Sequence, residues 1–536
     1  MLNTNHSPAK TLQDCTVGAI DIGTNSIHMV VVKINAQLPT FTIIAREKDT
    51  VRLGDRDSET GNLTPEAMKR AISALKRCQD LAHSLKVDQI IAVATSATRE
   101  APNGQDFINR VESELGIIIN LISGQEEARR IYLGVLSSMD FAGQTHALID
   151  IGGGSTELVL ADSTDIRHLS STKVGAVRLT QDFITTDPID QKEFIRLRAY
   201  VRGMLERPSE EWRGALKEGE KPVLIGTSGT IETLALICAM EDNGVEPNPL
   251  NGYTFSREKI AQTLDKLIKL DYDGRSSLAG MSDHRAEIII SGATILLEAM
   301  TLLEIDSLTV CERALREGMI VDWMLQNDYI ENRLAYQSNI RYRSVMKIAH
   351  KYQVDLPHAE KTTDFALTIF DQTKGELHNW SDKEREYLWA AGILHNCGLY
   401  ISHSSHHKHS YYLIRHAELL GFTEIEIELI AQIARYHRKS KPKRKHESYY
   451  SLVPNYRKII KEMSAILRLG IALDRRQIGA IESIECKYDA EYKKLHLHLN
   501  PLDKRDECAL ELWNLDYKKP IFEQEFDVKV LATLNV

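Results

Sequence analysis

Two patterns of hydrophobic and polar positions alternate through roughly the first 325 residues. Aliphatic runs of strand length, such as 17–20 and 90–94, are separated by stretches in which apolar residues recur at helical spacing. One helix is predicted over 65–84, because Thr64 suits its N-cap and a proline suits its first turn. This alternation predicts a largely parallel α/β core that includes an antiparallel hairpin.

The pattern changes near residue 330. Helical periodicity with histidine-rich joints continues to about 445, and the remaining residues mix helix with three strand-like runs. A chain of 536 residues is too long for one core. We therefore predict four domains: α/β domains over 12–135 and 136–325, a helical domain over 326–445 and a small α+β domain over 446–536.

Two short segments, Asp21–Ser26 and Asp150–Ser155, are nearly the same sequence, with four of six positions identical. Aliphatic runs flank both, so each is predicted to be the turn of a strand–turn–strand hairpin. Glycine lets such a turn approach a ligand closely, and its successive N–H groups form an anion site. A single copy would be an ordinary glycine turn, but two copies with matching flanks favour a pair of turns that bind a phosphate from two sides.

Carboxylates accompany both turns. Asp150 and Glu157 are predicted on the two arms of one hairpin, which brings them close together, and Asp21 occupies the matching position of the other hairpin. Mg²⁺ keeps several waters and needs only one or two carboxylates. Asp150 and Glu157 are therefore candidate magnesium ligands, with Asp21 supporting them from the opposite side.

Composition and charge exclude several classes of protein. The net charge of −9 gives no global signature of a nucleic-acid binder. The seven cysteines are scattered without metal-type spacing, as in reduced cytosolic proteins. The first residues lack an apolar signal core and no apolar run is long enough to span a membrane, so a cytoplasmic location is expected.

One basic segment, 435–446, carries seven Lys or Arg residues in twelve positions. It could be a solvated loop, or it could hold a long polyanion by its many charges. We favour the second interpretation. The candidate polyanion-binding residues are Arg438, Lys439, Lys441, Lys443 and Arg444.

A set of motifs in order identifies a family resemblance. Glu126-Glu127-Ala128-Arg129 precedes DIGGGSTE, and GTSGT (226–230) and ALREG (314–318) follow. This set resembles the exopolyphosphatase and guanosine pentaphosphate phosphohydrolase (Ppx/GppA) branch of the actin, Hsp70 and sugar-kinase superfamily. The resemblance implies an α/β fold with duplicated actin-like (ribonuclease H-like) halves, then an all-α HD-like domain and a small α+β domain. Because His395-Asn396 replaces the His-Asp pair of HD phosphohydrolases, we expect that domain to lack a hydrolytic centre of its own.

The resemblance also implies roles for individual residues. Glu127 is the expected base that orients or deprotonates water, and Glu126 is the fallback. Arg99 is chosen from its position directly after a strand end, where its planar fork could bind phosphate oxygens. Helix-terminal carboxylates and surface arginines are the ordinary alternatives for these residues. The expected phosphate-binding residues are Thr24, Asn25, Ser26, Gly152, Gly153, Gly154 and Ser155, together with Thr227, Ser228 and Gly229 of the third glycine turn.

The leading functional hypothesis is a Mg²⁺-dependent exopolyphosphatase that releases orthophosphate from inorganic polyphosphate, with K⁺ kept as a second candidate cation. Hydrolysis of guanosine pentaphosphate (pppGpp) is the near alternative. A catalytically weak alarmone sensor and a kinase are the alternatives from other classes. A homodimer is expected from the family alone, with neither nucleic acid nor membrane as a partner.

Overall fold

The computed structural model describes residues 13–57, 59–330, 340–417, 419–420 and 422–535. The chain forms two compact units, Met1–Ile340 and Arg341–Val536. The boundaries of the four predicted domains stay predictions.

The first sheet of the first unit has five strands in the order β3-β2-β1-β4-β5. Strands β1, β2 and β3 form an antiparallel meander, and β4 and β5 add to β1 in parallel. Helices on both faces bury the aliphatic strand residues. The elements of this half are β1 (Cys15–Ile22), β2 (Ile27–Asn35), β3 (Thr40–Asp49), α1 (Pro65–Ser84), β4 (Gln89–Ala94), α2 (Ser96–Glu100), α3 (Gly104–Leu115), β5 (Ile119–Leu121) and α4 (Gly124–Leu136).

The second sheet repeats this plan. Its order β10-β11-β9-β6-β7-β8 contains the same meander and the same two parallel additions, with β10 as an extra antiparallel edge strand. The two halves are therefore structural repeats. Their elements are β6 (His146–Ile151), β7 (Thr156–Ala161), β8 (Ile166–Thr172), α5 (Ala176–Phe183), α6 (Gln191–Gly214), β9 (Val223–Thr227), α7 (Gly229–Asn243), β10 (Thr254–Ser256), α8 (Arg257–Leu267), α9 (Tyr272–Ser276), α10 (Asp283–Ala286), α11 (Ile289–Leu303), β11 (Ser307–Val310) and α12 (Leu315–Gln326).

Helices α4 and α12 cross at two glycines. A Cβ atom on Gly134 would lie 2.0 Å from the carbonyl oxygen of Ala314, and one on Gly318 would lie 1.7 Å from that of Arg130. Only glycine permits such close backbone approach at both positions. The crossing fixes the beginnings of both helices, which carry Glu127 and Arg316, relative to the sheets.

The second unit is mainly helical and ends in a three-stranded sheet of order β12-β13-β14. Strands β12 and β13 are antiparallel, and β14 is parallel to β13. The elements are α13 (Ile340–Lys351), α14 (Leu356–Thr373), α15 (Asp382–Leu394), a 3₁₀ turn (Cys397–Tyr400), α16 (His406–Arg415), α17 (Glu424–Arg435), α18 (Glu447–Tyr450), α19 (Pro454–Ala472), β12 (Ile481–Asp489), β13 (Lys494–Pro501), α20 (Ala509–Phe526) and β14 (Lys529–Leu534).

The sequence pattern missed α20 altogether. This helix has Pro520 in its interior and no polar side chain capping its N-terminus at Cys508. Its apolar residues also fail to recur at helical spacing, so packing of Leu515 and Phe522, rather than periodicity, accounts for it. No helix of the described residues is both long and apolar enough to cross a membrane.

Candidate active site

The two repeated turns have the same backbone geometry. Gly23 N–H donates to the carbonyl oxygen of Ser26 at 3.1 Å, and Gly152 N–H donates to that of Ser155 at 2.9 Å. A Cβ on either glycine would lie 3.1 Å from the carbonyl oxygen of the serine to which that glycine donates. The sequence repeat is therefore also a repeat of local structure.

The turns face and contact each other. A Cβ on Gly153 would lie 3.1 Å from Cβ of Thr24, and a Cβ on Gly154 would lie 2.8 Å from Thr24 Oγ1 and 2.5 Å from Ser96 Oγ. A side chain at either glycine would therefore force the turns apart. Between the turns lies a cavity of about 160 Å³, which is lined by both turns and by Asp21, Glu127 and Asp150 among others.

Three carboxylates come from the strands beside this cavity: Asp21 and Asp150 line it, whereas Glu157 is buried and does not. Asp150 and Glu157 are directly opposite each other in the β6–β7 ladder, as the hairpin prediction requires. Asp150 also accepts a hydrogen bond from Thr227 Oγ1, and Glu157 accepts one from Ser171 Oγ at 2.7 Å. The third carboxylate is Asp21 of β1, and its Oδ1 atom is buried without a hydrogen-bond partner among the described residues.

Burial raises the pKa of every one of these carboxylates. The pKa of Asp21 rises to about 7, chiefly by desolvation, although the charge of Arg316 opposes the shift. Desolvation also raises the pKa of Asp150, although the hydrogen bond from Thr227 opposes this shift. The pKa of Glu157 is raised by desolvation and by the charge of Asp150. Without a cation, the site therefore holds protons that carboxylates in water would release.

Glu127 lies in the first turn of α4, where Ser123 caps the helix by accepting from Glu126 N–H. Its side chain is 10% exposed, and Arg99 Nη1 lies 3.3 Å from Glu127 Oε2. Desolvation and the charge of Glu157 raise its pKa well above the ordinary value, while Arg99 lowers it. Arg99 lies in the short helix α2 and also donates to the carbonyl oxygen of Ile122 at 2.8 Å.

Glu126 does not line the cavity. It pairs with Arg129 and Arg130 at 2.7 Å each, and both arginines also pair with Asp322 of α12. Hydrogen bonds from Arg129 hold the pKa of Glu126 below its usual range. The structure therefore brings Glu127, and not the fallback residue, to the cavity.

The third glycine turn divides into two parts. Thr227 is fully buried and holds Asp150, whereas Ser228 and Gly229 line the cavity. A Cβ on Gly229 would lie 2.1 Å from Nη2 of Arg285, so this glycine makes room for the guanidinium. Thr227 thus supports a carboxylate rather than facing the cavity.

Sequence reasoning missed three residues of the site that carry ionisable side chains: His28, Arg285 and Arg316. Arg316 Nη1 donates to His28 Nδ1 at 3.3 Å, and His28 Nε2 lies 2.7 Å from Ser26 Oγ. Burial, followed by the charge of Arg316, lowers the pKa of His28 to about 3, so this ring is neutral. Two of these residues could have been found from the sequence, because Arg316 lies in the ALREG motif and His28 is the cross-strand partner of Asp21 in the first hairpin. Arg285 lies in no motif, so nothing in the sequence marks it.

The cavity is also surrounded by helix N-termini. Gly229 begins α7, and Ala314–Arg316 form the beginning of α12. Helix α5 also begins here, at Ala176, but its first three N–H groups already donate to the carbonyl oxygens of Gly152 and Gly153. The free N–H groups and the helix dipoles at such termini favour anions. The site therefore combines carboxylates that suit a cation with N–H groups and arginines that suit phosphate.

Few carboxylates lie at the cavity, and that small number suits a hard divalent cation. Among the described residues, no group of three or more His, Cys, Asp or Glu side chains is placed to hold a metal ion. Mg²⁺ needs only one or two carboxylates and takes water for the rest of its shell. The unpartnered Oδ1 atom of Asp21 and the raised pKa of Asp150 are what such a site would show in the absence of its ion.

A second cavity of the first unit, of about 460 Å³, is also lined by Arg99 and Ser155. Lys173 and Arg207 lie along it, and so do Glu100 and Glu211. None of the residues that line it is aromatic.

The basic segment of the second unit follows α17. Lys439, Lys443 and Arg444 are exposed, and Lys441 Nζ donates to Gln524 Oε1 at 2.7 Å. Arg438 differs from them, since its Nη1 lies 3.0 Å from His406 Nδ1 at the wall of a cavity. A role of this segment in binding polyanions stays a prediction.

Comparisons with known proteins agree with the repeated fold. The Ppx/GppA phosphatase family model matches residues 30–327, and the model for Ppx/GppA phosphatase domain III matches residues 340–519. A crystal structure of the Aquifex aeolicus member of the Ppx/GppA family is 29% identical over 59% of this chain and 99% of its own, with a TM-score of 0.50. A crystal structure of an exopolyphosphatase from Cytophaga hutchinsonii is 26% identical over 58% of this chain and 98% of its own, with a TM-score of 0.53.

The predicted fold class, with duplicated actin-like α/β halves followed by a helical domain, is confirmed. The first family model alone covers more than half of the chain. The chain belongs to the Ppx/GppA phosphatase family.

Proposed function

We propose that this protein is an exopolyphosphatase that hydrolyses the terminal phosphoanhydride of inorganic polyphosphate and releases orthophosphate. One observation carries the proposal: two matching glycine turns, buried carboxylates and Glu127 line the same small cavity. Hydrolysis of a phosphoanhydride requires positioning, charge neutralisation and an oriented water rather than covalent chemistry. The residues present are of the types that these tasks need.

Magnesium is the proposed cofactor. Asp150 and Asp21 would hold it, directly or through water. Glu157, opposite Asp150 on the neighbouring strand, would add its negative charge from outside the cavity lining. The bound ion would neutralise charge on phosphate oxygens. The same carboxylates would then lose their protons, because a nearby positive charge favours the ionised form. K⁺ remains a candidate for a second cation, without a specific site.

Glu127 is the proposed general base. Burial and neighbouring carboxylates raise its pKa, which makes it a better proton acceptor once it is ionised. Arg99, 3.3 Å away, favours that ionised form, and its planar fork lines the second cavity rather than this one. The carboxylate would take a proton from the attacking water while the terminal phosphate is held between the turns.

Phosphate oxygens would be bound from several directions. The turn amides of Thr24, Asn25, Gly153 and Gly154 would donate to them, together with the hydroxyl groups of Ser26 and Ser155 and the N-termini of α7 and α12. Arg285 and Arg316 would offset charge that develops on the transferring phosphoryl group.

The polymer is preferred over pppGpp as substrate for two reasons. The second cavity beside Ser155 has cations but no aromatic ring on which a guanine base could stack. The basic segment 435–446 offers many charges to a long polyanion. Both substrates end in a phosphoanhydride, so the chemistry of the cavity alone does not separate them.

One purified preparation should be assayed for orthophosphate release from long-chain polyphosphate and from pppGpp, with Mg²⁺ and with EDTA. We expect magnesium-dependent release with the higher kcat/KM on polyphosphate. A higher kcat/KM on pppGpp would transfer the assignment to the nucleotide, and tight binding without release from either would favour a sensor. The proposed homodimer is checked in the same preparation by light scattering.

A further inference from the structure

The second unit contains a cavity of about 370 Å³ that the proposed reaction does not use. It is lined by residues from α14, the 3₁₀ turn, α16, the end of α19 and α20, and by residues that follow α15, the 3₁₀ turn, α17 and α19. Three of them are the cations Arg438, Arg475 and Lys518.

These cations lack partners of opposite charge. Among the residues that the structure describes, none of the three forms an ion pair with a carboxylate. The one acidic residue at the wall, Asp474, is already engaged: its Oδ2 lies 2.7 Å from His358 Nδ1, and its Oδ1 accepts from Gly479 N–H at 2.9 Å. The cavity therefore has an excess of positive charge.

The surroundings of Lys518 reflect this excess. Its pKa is lowered to about 8, first by burial and then by the charges of Arg468, Arg438 and Arg475. Clustered cations of this kind cost free energy unless an anion lies between them. Such an arrangement is what a binding site for an anion would require.

A metal ion does not fit the same place. His406 and His437 bring their Nε2 atoms within 3.4 Å of each other, as two ligands of one metal would. However, Arg438 Nη1 lies 3.0 Å from Nδ1 and 3.3 Å from Nε2 of His406, so a guanidinium already occupies the approach to that ring. Among the described residues, no group of three suitable ligands exists here either.

Two aromatic rings flank the cations at the rim. Trp513 and Tyr517 lie one turn apart on α20, with ring planes within 9° of parallel and centroids 6.0 Å apart. Their side chains are among the exposed large hydrophobic groups of the chain, at 62% and 71%. An exposed aromatic face next to a cationic cavity suits a flat ring that carries phosphate.

We propose that this cavity is a nucleotide-binding site, with the phosphates on Arg438, Arg475 and Lys518 and the base stacked on Trp513. The site lies within the second unit and apart from the residues proposed for hydrolysis, and it shares Arg438 with the basic segment 435–446. The proposal goes beyond the exopolyphosphatase assignment, and Arg475 and Lys518, which lie outside the basic segment, test it independently.

Binding is measured on the full-length protein in EDTA by tryptophan fluorescence, with ADP, GDP, the two nucleosides and tripolyphosphate as probes. We expect saturable quenching by the nucleoside diphosphates, weaker effects of the nucleosides and of tripolyphosphate, and loss of the quenching in Trp513→Phe. Charged hydrogen bonds contribute about 1.5–3 kcal/mol, so Lys518→Gln and Arg475→Gln should each weaken binding about tenfold or more.

The matched control is Lys519→Gln, because the neighbouring Lys519 pairs with Asp516 at 2.6 Å and does not line the cavity. Arg475 is exposed, so its variant tests the proposal even if Lys518→Gln fails to fold. Equal affinity in Arg475→Gln and the control, absence of quenching, or tripolyphosphate binding as tightly as the nucleotides would each overturn the proposal.

Discussion

Asp21 provides the sharpest test of the electrostatics of the candidate site. Its carboxylate is buried with an unpartnered oxygen, and its pKa is raised to about 7. An unfolded aspartate has a pKa of about 3.9. The folded protein therefore binds a proton at Asp21 that the unfolded chain releases, and this stabilises the fold only at low pH.

The size of the effect follows from linkage. The contribution is complete below the unfolded pKa and is lost as pH rises through the folded value near 7, for a total of about 4 kcal/mol. Between pH 6 and pH 8 the loss is about 1.4 kcal/mol. Asp21→Asn has no ionisable group, so its stability advantage over the parent protein should grow by about that amount over this interval.

The assay is urea denaturation of both proteins in EDTA at pH 6 and pH 8, with native-state hydrogen exchange of the β1 amides as a local measure. Asp80→Asn, at an exposed surface pair with Lys76, is the control and should show no such change. Mg²⁺ should stabilise the parent protein at pH 8 and stabilise Asp21→Asn less. An advantage that stays constant or shrinks from pH 6 to pH 8 would refute this account of the site.

Three further predictions address other parts of the site. Glu157→Gln should weaken Mg²⁺ binding, measured by calorimetry at pH 8, because the carboxylate opposite Asp150 on the neighbouring strand is lost; unchanged affinity would remove Glu157 from the metal site. Gly318→Ala should lower the melting temperature by several degrees, because its Cβ would lie 1.7 Å from a backbone carbonyl oxygen on α4, and an unchanged melting temperature would contradict the close helix crossing. Arg316→Ala should raise the pKa of His28, followed by NMR, and reduce turnover; a pKa that stays near 3 would show that burial alone sets it.

The sequence predicted the parts of the site that depend on local pattern. The repeated turns, the hairpin pairing of Asp150 with Glu157 and the helix beginning before Glu127 all follow from glycine placement, strand alternation and capping. These features involve residues close in sequence, so short-range rules suffice to place them.

The features of the site that sequence reasoning missed depend on packing between segments that are distant in the chain. Arg285 reaches Gly229 only because the chain returns from α10 to the beginning of α7, and no local signal marks it. The sequence also treated Glu126 and Glu127 as near equivalents. The contact of α12 with α4 separates them, because it gives the arginines beside Glu126 a partner in Asp322.

The central claim is that Glu127 activates water for attack on a phosphate held between the two turns. Its most direct test is the rate of orthophosphate release from polyphosphate by Glu127→Gln, with Glu126→Gln as the matched control. Loss of a general base should lower kcat by about 100-fold or more while Mg²⁺ and polyphosphate still bind, and the control should retain most of its activity. A rate near that of the parent protein in Glu127→Gln would contradict the account.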